Sequence, residues 1–465
     1  ILRATGFCVG PPGRTEICQG ISENKDLMVN NDIIRGFSKL TEEEKRNFIA
    51  RNCKDPVQAE DRLERFLMED ESDRVPFLEL SENTVSSFHT PYGIAPNLMV
   101  DGKIYHVPMA IEESSVVAAA SHSARFWAER GGFRVTGLTT VKVGHVYFRW
   151  FGEPGYLRER WQQLKLFLLE RLKKLTVNMV RRGGGILSLD LTDQTSVIDN
   201  LYKLELKVET INSMGANFIN TCLEDIAEGL ELYFKVEDDP AGNKLQVAMS
   251  ILSNYTAECL VSVEASCAIE DLRPIAGAMQ VNTLAEKLEL AYRIALHDPS
   301  RAVTHNKGIM NGVDAVLMAT GNDYRAAEAA AHAFASRDGM YRALSTCKLE
   351  SGRVIIGLTI PMAVGTVGGI TNLHPLARLS LEILGNPNAR ELMGIVASVG
   401  LASNFAAIRS LVTTGIQKGH MRLHLSNILN MLNVNNGLRA EAELYFSNRK
   451  VSFNAVMHFL HEKGQ

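Results

Sequence analysis

Hydrophobic residues between positions 135 and 252 follow two different periods. From Leu157 to Arg182 they recur with helical spacing, and Gly183-Gly184-Gly185 ends this run. The flanking segments follow a period of two, which predicts strands. In chain order the predicted elements are strand 135–150, helix 157–182, strands 186–191 and 201–209, helix 213–234, a turn at 238–243 and strand 244–252. This β-α-β-β-α-β order is the split βαβ arrangement of a ferredoxin-like domain.

The remainder of the chain is predicted to be mainly helical. Thr41 and Glu44 form a capping box before an amphipathic run, and a helix over 115–130 ends at Gly131-Gly132. After residue 252 the chain is rich in Ala, Gly and Met, and the predicted elements are helices 272–297, 374–385, 388–400 and 402–416 and strand 353–364. Residues 1–34, which include GPPG, are predicted to be an irregular extension. The fold class is therefore α+β, with several domains.

Composition and charge exclude several classes of protein. The formal net charge is −4, from 49 basic and 53 acidic residues, which argues against nucleic acid as a partner. The most apolar long run, Val354 to Ile370, is broken by Pro361 and glycines, so we expect no membrane span. Seven scattered cysteines without a CxxC pair indicate free thiols in a reducing compartment. No signal peptide is visible, and we expect a cytoplasmic protein.

The segment from Arg301 to His332 contains a lysine and an aspartate in unusual settings. Lys307 stands among glycines and asparagines in HNKGIMNG, which we interpret as a loop. The lysine either reaches solvent, as most lysines do, or is held by these neighbours for a function. Asp323 stands at a predicted helix start, where it caps the helix and stays ionised. An ionised Asp323 beside Lys307 would keep the lysine protonated, and an ammonium group stabilises a developing oxyanion.

Two further residues are candidates for proton transfer. Glu113 follows Glu112 at the start of the 115–130 helix, where the helix dipole favours carboxylates. A role as proton donor requires burial to raise the pKa of Glu113 against that dipole. His420 follows a glycine, and His424 is one helical turn later, a spacing that metal ligands also use. No HExxH sequence and no cysteine or acidic partner accompany them, so we predict no metal site.

Small residues open the second helix of the ferredoxin-like segment. Asn212-Ser213-Met214-Gly215-Ala216-Asn217 places free N–H groups at a helix start, which suits a pyrophosphate. The same residues are equally typical of close packing between a helix and a sheet. Gly365 to Gly369 form either a tight turn or a wall against a cofactor.

Taken together these segments resemble 3-hydroxy-3-methylglutaryl-coenzyme A (HMG-CoA) reductase in its soluble class II form. The resemblance begins near residue 34 and extends to the C-terminus, with its segments in the family's order. The matching segments are EESSVVAAAS (112–121), NSMGANFINT (212–221), ILSN (251–254), RAVTHNKGIMNGVDAVLMATGNDYRAAEA (301–329), PMAVGTVGGITNLHPLA (361–377) and QKGHM (417–421). EESSVVAAAS and the lack of an expected membrane span distinguish it from the membrane-anchored class I form.

The resemblance implies a reaction and a role for each matching residue. HMG-CoA is reduced to mevalonate and coenzyme A by two molecules of NADH or NADPH, or mevalonate is oxidised by the reverse reaction, because both directions use the same residues. Lys307 would stabilise the oxyanion, Asp323 would contact Lys307, Glu113 would donate a proton, and His420 would protonate the departing coenzyme A thiolate. The substrate-binding residues implied are Ser115, Arg301 and Asn311. Arg301 suits the distal carboxylate of the substrate, because a guanidinium pairs bidentately with a carboxylate.

The cofactor contacts implied by the resemblance fall in two places. Met214, Gly215, Ala216 and Asn217 match the family's cofactor helix, although Asn212-Ser213 stands where the family has Asp-Ala. After the three glycines, some class II enzymes place an acid that selects NADH, and the nearest counterparts are Ser188 and Asp190. Ser188 would tolerate a 2′-phosphate and Asp190 would repel one. The choice between NADH and NADPH therefore stays open.

The resemblance also implies domains and partners. Residues 35–135 and 253–410 would form a mainly helical large substrate domain, with the ferredoxin-like cofactor domain, 136–252, inserted in it. Residues 411–465 would form a helical C-terminal flap. The expected assembly is a homodimer, or a larger oligomer of dimers, with the active site at the subunit interface.

Two other functions are compatible with parts of this pattern. One is a coenzyme A-dependent acyl or aldehyde reductase of other specificity, for which the carboxylate anchor Arg301 would be needless. The other is a non-catalytic protein that binds coenzyme A or a nucleotide. Candidate residues at all four catalytic positions, Glu113, Lys307, Asp323 and His420, argue against it.

Overall fold

The computed structural model describes residues 34–236, 244–413, 415, 425–446, 449 and 451–464. The chain forms two compact units, one that ends at His89 and a larger one that begins at Thr90. The predicted extension over 1–34, apart from its last residue, and the predicted turn at 238–243 lie outside the described residues. The domain limits implied by the resemblance stay predictions.

Strands and helices are numbered in chain order. The strands are β1 (Tyr92–Val100), β2 (Lys103–Ala110), β3 (Arg134–Leu138), β4 (Val141–Trp150), β5 (Gly185–Asp193), β6 (Leu201–Glu209), β7 (Leu245–Leu252), β8 (Leu260–Ala268), β9 (Ser345–Glu350) and β10 (Arg353–Pro361). The helices are α1 (Glu42–Ala50), α2 (Pro56–Arg65), α3 (Glu71–Glu79), α4 (Val116–Ala128), α5 (Pro154–Arg181), α6 (Ala216–Val236), α7 (Arg273–Ala276), α8 (Val281–His297), α9 (Pro299–Ala319), α10 (Tyr324–Ala335), α11 (Ile370–Leu373), α12 (Pro375–Ile383) and α13 (Ala389–Val412). Two further helices, Asn436–Tyr445 and Phe453–Glu462, lie near the C-terminus.

The smaller unit contains helices α1 to α3. Thr41 and Glu44 form the predicted capping box, with Glu44 N–H donating to Thr41 Oγ1 at 3.2 Å and Thr41 N–H donating to Glu44 Oε2 at 2.8 Å. Asp55 accepts from the Gln58 N–H at 3.0 Å and so caps α2. Side-chain caps therefore fix the start of these short helices, which bury few apolar residues.

Strands β4 to β7 with helices α5 and α6 confirm the predicted β-α-β-β-α-β order. The four strands form an antiparallel sheet in the order β5-β6-β4-β7. Along β6, Leu204, Leu206 and Val208 are buried while the alternate residues point to the other face of the sheet. The buried face packs against α5 and α6 in one continuous core. The physical basis of the prediction is visible here, because both helices are amphipathic and the strands are buried on one side.

A second four-stranded sheet, in the order β3-β8-β10-β9, lies in the core of the larger unit. The prediction of one strand over 135–150 is wrong, because β3 belongs to this sheet and β4 to the ferredoxin-like sheet. Thr139 Oγ1 accepts from the Leu260 N–H at 3.1 Å, while the adjacent Thr140 hydroxyl donates to Glu209. The two threonines thus attach the chain to two different sheets at the point where it passes between them.

Strands β8 and β9 were absent from the prediction of a mainly helical region after residue 252. Along β8, Val261, Val263, Ala265 and Cys267 are buried in alternation, so a period of two was present in the sequence. Small residues such as alanine and serine weaken that signal, because they are also common in helices. The large unit therefore combines helices with a central sheet.

Helix α13 is continuous, although two helices were predicted over 388–400 and 402–416. Gly400 lies inside it, and a Cβ there would come within 2.8 Å of Val313 Cγ2 on α9. Gly312 on α9 has the reciprocal role, because its Cβ would lie 2.6 Å from Ser403 Oγ. These glycines allow two helices to pack closely rather than ending either one.

By length and composition alone, α13 is also long and apolar enough to cross a membrane. Its most apolar window has a mean hydropathy of 1.6, and 72% of that window is buried inside the protein. Its apolar residues contact the central sheet and α9, and together they form the main core. We therefore interpret α13 as a core helix.

Candidate active site

Helix α9 contains three of the predicted site residues. The Asp298 carboxylate accepts from the Ser300 N–H at 2.9 Å and Pro299 occupies the first turn, which together start the helix. The interpretation of HNKGIMNG as a loop is wrong, because Lys307 lies in the middle of this helix. The glycines near Lys307 wrongly indicated a loop, because Gly312 instead allows α9 to pack closely against α13.

Residues that are accessible on α9 recur every three or four positions and form one stripe. Arg301, Lys307 and Asn311 belong to this stripe, while most residues between them are buried. At about 100° per residue, the three side chains leave the helix within a sector of about 120°. A single extended ligand lying along this face of α9 can therefore reach all three.

The Lys307 ammonium forms an ion pair and a hydrogen bond with the Glu113 carboxylate. The Lys307 side chain is 58% exposed and that of Glu113 is 38% exposed, so a ligand can approach both. Glu113 was expected in the first turn of the helix, but α4 begins only at Val116. Ser115, directly before α4, has a left-handed backbone with φ of 72°. This turn directs the loop that carries Glu113 and Ser115 toward α9.

Asp323 caps α10, as the sequence predicted. Its carboxylate accepts from the Ala326 N–H at 3.1 Å and pairs with Arg325 at 3.4 Å. The expected contact with Lys307 is not formed within the described chain, where Lys307 pairs with Glu113. Lys307 is twelve residues before the end of α9, which separates it from the following turn by about 18 Å along the helix axis. A helix in place of the expected loop therefore moves Asp323 away from the lysine of its own chain.

A buried polar cluster that sequence analysis missed fixes α9 from behind. His305 Nε2 lies 2.6 Å from Ser345 Oγ, which donates to Asn404 Oδ1 at 3.0 Å. The Asn404 amide donates to the His305 carbonyl at 3.1 Å. Burial, with a smaller effect of Arg301, lowers the pKa of His305 to about 3, so the ring is neutral. The cluster joins α9 to β9 and α13, and its sequence signal was weak, because His305 is one of several polar residues in α9.

Arg301 stands near the start of α9. Burial lowers the pKa of its guanidinium, and the nearby Asp298 carboxylate opposes this effect. Burial also strengthens the attraction between a guanidinium and a carboxylate, because less water screens them. This position suits the predicted role of Arg301 as a carboxylate anchor.

The predicted cofactor residues Met214, Gly215, Ala216 and Asn217 lie at the start of α6. The helix begins at Ala216 rather than at Ser213, because Gly215 has φ of 86°. A Cβ on Gly215 would come within 2.4 Å of Thr210 Cγ2, so only glycine fits here. Met214 and Ala216 line a small cavity of about 20 Å³, and the alanines Ala326, Ala327 and Ala330 of α10 form another of its walls.

Ser188 and Asp190 lie on β5, at the edge of the ferredoxin-like sheet. A hydrogen bond from Ser188 lowers the pKa of Asp190, and Lys165 also pairs with this carboxylate at 3.3 Å. At the other end of β5, beside Gly185, Arg182 and the loop 210–213 line a larger cavity of about 320 Å³. The structure thus places cationic groups beside Asp190 and near the three glycines. His420 lies outside the described residues.

Comparisons with known proteins agree on one family. A model of hydroxymethylglutaryl-coenzyme A reductase matches residues 41–425. The 3-hydroxy-3-methylglutaryl-coenzyme A reductase of Archaeoglobus fulgidus is 38% identical over 399 residues, which cover 85% of this chain and 86% of the relative. A probable reductase of the same name from Borreliella burgdorferi is 36% identical over 351 residues, covering 76% and 78%. A solved structure of the class II enzyme from Streptococcus pneumoniae, bound to NADPH in open conformations, has a TM-score of 0.68 and 38% identity, and the match covers 81% of this chain and 99% of that one.

These findings define the class of protein as an oxidoreductase that uses a nicotinamide cofactor. The family model covers most of the chain, and relatives more than 30% identical match it over most of their own length. The chain belongs to the hydroxymethylglutaryl-coenzyme A reductase family. The resemblance inferred from the sequence is thereby confirmed, and the reaction is the interconversion of HMG-CoA with mevalonate and coenzyme A.

Proposed function

We propose that Lys307 and Glu113 form the reducing centre for both steps of this reaction. The observation that carries the proposal is their ion pair, which is accessible and lies on the same helix face as Arg301 and Asn311. When bound, a reduced nicotinamide supplies one hydride in each of the two reductions. Lys307 stabilises the negative charge that develops on the carbonyl oxygen, and Arg301 holds the distal carboxylate of the substrate.

Proton transfer completes each reduction. Glu113 is hydrogen-bonded to Lys307. Its carboxyl group therefore lies beside the place where Lys307 would stabilise the carbonyl oxygen of a bound substrate. The Glu113 side chain is 38% exposed, so the burial that proton donation requires has to come from bound substrate and cofactor. In our proposal Glu113, once covered, supplies the proton to that oxygen in the final alcohol, and His420 protonates the coenzyme A thiolate as it leaves. Overall, HMG-CoA, two reduced cofactors and two protons give mevalonate, coenzyme A and two oxidised cofactors.

Initial rates with HMG-CoA and each reduced cofactor test this proposal. Lys307→Ala should reduce kcat by at least about a hundredfold, as loss of an oxyanion-stabilising group does. Lys173→Ala is the matched control, because Lys173 is also a helical lysine paired with a glutamate and 70% exposed. Comparable rates in both variants would show that Lys307 has no catalytic role.

We also propose a homodimer in which Asp323 of one subunit approaches Lys307 of the other. The proposal is supported by the separation of these residues within one chain, because about 18 Å of helix lies between Lys307 and the turn before Asp323. A second copy related by twofold symmetry can bring the α10 start of one subunit to the α9 midpoint of the other.

Co-expression of Lys307→Ala and Asp323→Ala chains tests this arrangement. If the two groups come from different subunits, each mixed dimer has one intact site, and random pairing restores about a quarter of the wild-type activity. Each variant expressed alone should be inactive. A mixture as inactive as the single variants would show that each site takes both residues from one chain.

For the cofactor we propose a preference for NADPH. Arg182 lines the open cavity beside the loop 210–213, and Lys165 partly neutralises Asp190. A guanidinium favours a 2′-phosphate through charge-assisted hydrogen bonds. Arg182→Ala should lower kcat/KM for NADPH and leave that for NADH nearly unchanged, while the exposed neighbour Arg181→Ala should affect neither. An equal loss with both cofactors in Arg182→Ala would contradict a phosphate contact.

A further inference from the structure

Lys142 is a buried lysine that no sequence motif suggested. It lies on β4 and is 4% exposed. Its ammonium donates to Thr210 Oγ1 at 2.6 Å and to the Ser213 carbonyl at 3.4 Å. Burial lowers the pKa of Lys142, and the Cys259 thiol and the Glu209 carboxylate oppose that shift. Burying a charged lysine is costly unless specific partners bind its ammonium, so the position of Lys142 indicates a specific role.

The two acceptors of Lys142 belong to the loop that leads into α6. The Thr210 hydroxyl donates in turn to the Ser213 carbonyl at 2.6 Å, so ammonium, hydroxyl and carbonyl form one closed group. Glu209 accepts from the Ile211 N–H at 2.8 Å on the other side of the loop. These bonds fix the chain from Glu209 to Ser213 in a single shape.

That shape is not one that the loop would adopt by itself. Ile211 has φ of 56°, which is unfavourable for a β-branched residue. Surrounding contacts have to maintain such a conformation. Lys142 provides some of these contacts, and residues that follow the ferredoxin-like segment provide the others. The Asn212 carbonyl accepts from the Thr366 N–H at 2.8 Å, and the Asn212 amide oxygen accepts from the Ala389 N–H at 3.1 Å.

Residues of the same loop line both cavities near the predicted cofactor residues. Lys142, Met214 and the buried Thr256 line the cavity that α10 closes. Thr256 Oγ1 is buried and has no hydrogen-bond partner among the described residues. The ammonium of Lys142 has three protons, and its contacts with Thr210 and Ser213 use two. The Thr256 hydroxyl and the third ammonium proton of Lys142 are therefore unused at this cavity, beside Met214.

From this geometry we infer that Lys142 is a positioning residue for the nicotinamide cofactor, holding the Thr210–Gly215 loop in its binding shape. The inference rests on the proposed function and on the predicted cofactor role of Met214 to Asn217. Without the ammonium, the loop loses two bonds from beneath, and the strained Ile211 can relax to negative φ. The N–H groups at the start of α6 then lose the orientation that suits a pyrophosphate. Cofactor affinity should fall, while the substrate residues on α9 are unaffected.

The experiment compares Lys142→Met with Lys203→Met, a partly buried lysine on the adjacent strand β6 that pairs with Glu205 at 3.0 Å. Cofactor affinity is measured by titrating NADPH and NADH against the fluorescence of each protein, and substrate affinity by calorimetry with HMG-CoA. In Lys142→Met we expect the cofactor Kd to rise roughly tenfold or more, the size expected from losing charged hydrogen bonds, with an unchanged Kd for HMG-CoA. Lys203→Met should retain both affinities.

Thr210→Val provides a second variant if Lys142→Met does not fold. It removes the hydroxyl between the ammonium and the Ser213 carbonyl at nearly constant volume, and should also raise the cofactor Kd selectively. Unchanged cofactor affinity, or an equal loss for both ligands, would overturn the inference. Turnover of HMG-CoA by the wild-type protein is recorded in parallel. Its absence would refute the proposed function, whereas the cofactor titrations would still report on Lys142.

Discussion

Asp314 on α9 and Glu328 on α10 form a pair of carboxyl groups that predicts an unusual dependence of stability on pH. Asp314 Oδ1 is fully buried and has no hydrogen-bond partner among the described residues. Burial, together with the charge and hydrogen bond of Glu328, raises the pKa of Asp314 from 3.8 to about 8. At neutral pH the folded protein therefore keeps a proton on this pair that the unfolded chain releases.

The sign of the effect follows from this difference in bound protons. Between about pH 4 and pH 8 the folded state binds one more proton than the unfolded state, so the free energy of unfolding falls as the pH rises. The slope is about 1.4 kcal/mol per pH unit and lessens near the folded-state pKa, which gives a loss of roughly 2 kcal/mol from pH 6 to pH 8. Asp314→Asn carries no charge and can still bond to Glu328, so this loss should disappear.

Thermal unfolding of both proteins at pH 6, 7 and 8 measures the effect. The melting temperature of Asp314→Asn, relative to the wild type, should rise steadily across this range. Glu328→Gln is the matched variant: it removes the like charge but leaves Asp314 buried, and burial is the larger cause, so it should flatten the curve only in part. Parallel curves for the wild type and Asp314→Asn would show that the pair does not retain a proton, and the reasoning would fail.

Two further predictions concern the framework around the site. Gly132→Ala should destabilise the protein more than Gly131→Ala: both glycines have positive φ, but only the Gly132 Cβ would meet a backbone oxygen, that of Met99, at 2.7 Å. Gly131 is exposed, so Gly131→Ala should lower the unfolding free energy by about 1–2 kcal/mol through backbone strain alone. Equal losses for Gly131→Ala and Gly132→Ala in denaturant unfolding would contradict the steric argument. Ser345→Ala should cost about 1–3 kcal/mol, because it leaves His305 and Asn404 without their shared hydroxyl partner. Unfolding compared with that of Ser410→Ala, whose hydroxyl bonds only within its own helix, tests this, and similar losses would argue against the buried cluster.

Local patterns predicted the parts of the fold whose cause is local. The ferredoxin-like layer was predictable because α5 and α6 bury one face and β6 alternates strictly. The cap at Asp323 was predictable for the same reason, since a helix start needs a side-chain acceptor. The missed strand β8 pairs with β10 across a long stretch of chain, and no local signal specifies such pairing. Strand β9 is different, because it pairs with β10 across the tight turn Ser351-Gly352, and this local hairpin signal was missed.

Glycines gave the most misleading sequence signals. In HNKGIMNG and in α13, glycines suggested a loop and a helix end, whereas Gly312 and Gly400 allow α9 and α13 to pack closely. Their role depends on a partner helix nearly ninety residues away, which a local pattern does not contain. The identities of Arg301, Lys307 and Asn311 were predicted, but their common face became apparent only once the segment was known to be helical.

The helical position of Lys307 also limits how the active site can move. α9 is fixed by the Gly312 contact with α13 and by the bonds of His305 to Ser345, so its lysine cannot shift far without disrupting the core. Two cofactor molecules must nevertheless bind in turn during one reaction, which requires the site to open. The motion therefore has to come from elements that approach α9 rather than from α9 itself. Among the described elements, the loop before α4, which carries Glu113, meets this requirement. We therefore expect the Lys307–Glu113 pair to join a rigid group to a movable one, and opening of the site to separate the ammonium from its carboxylate.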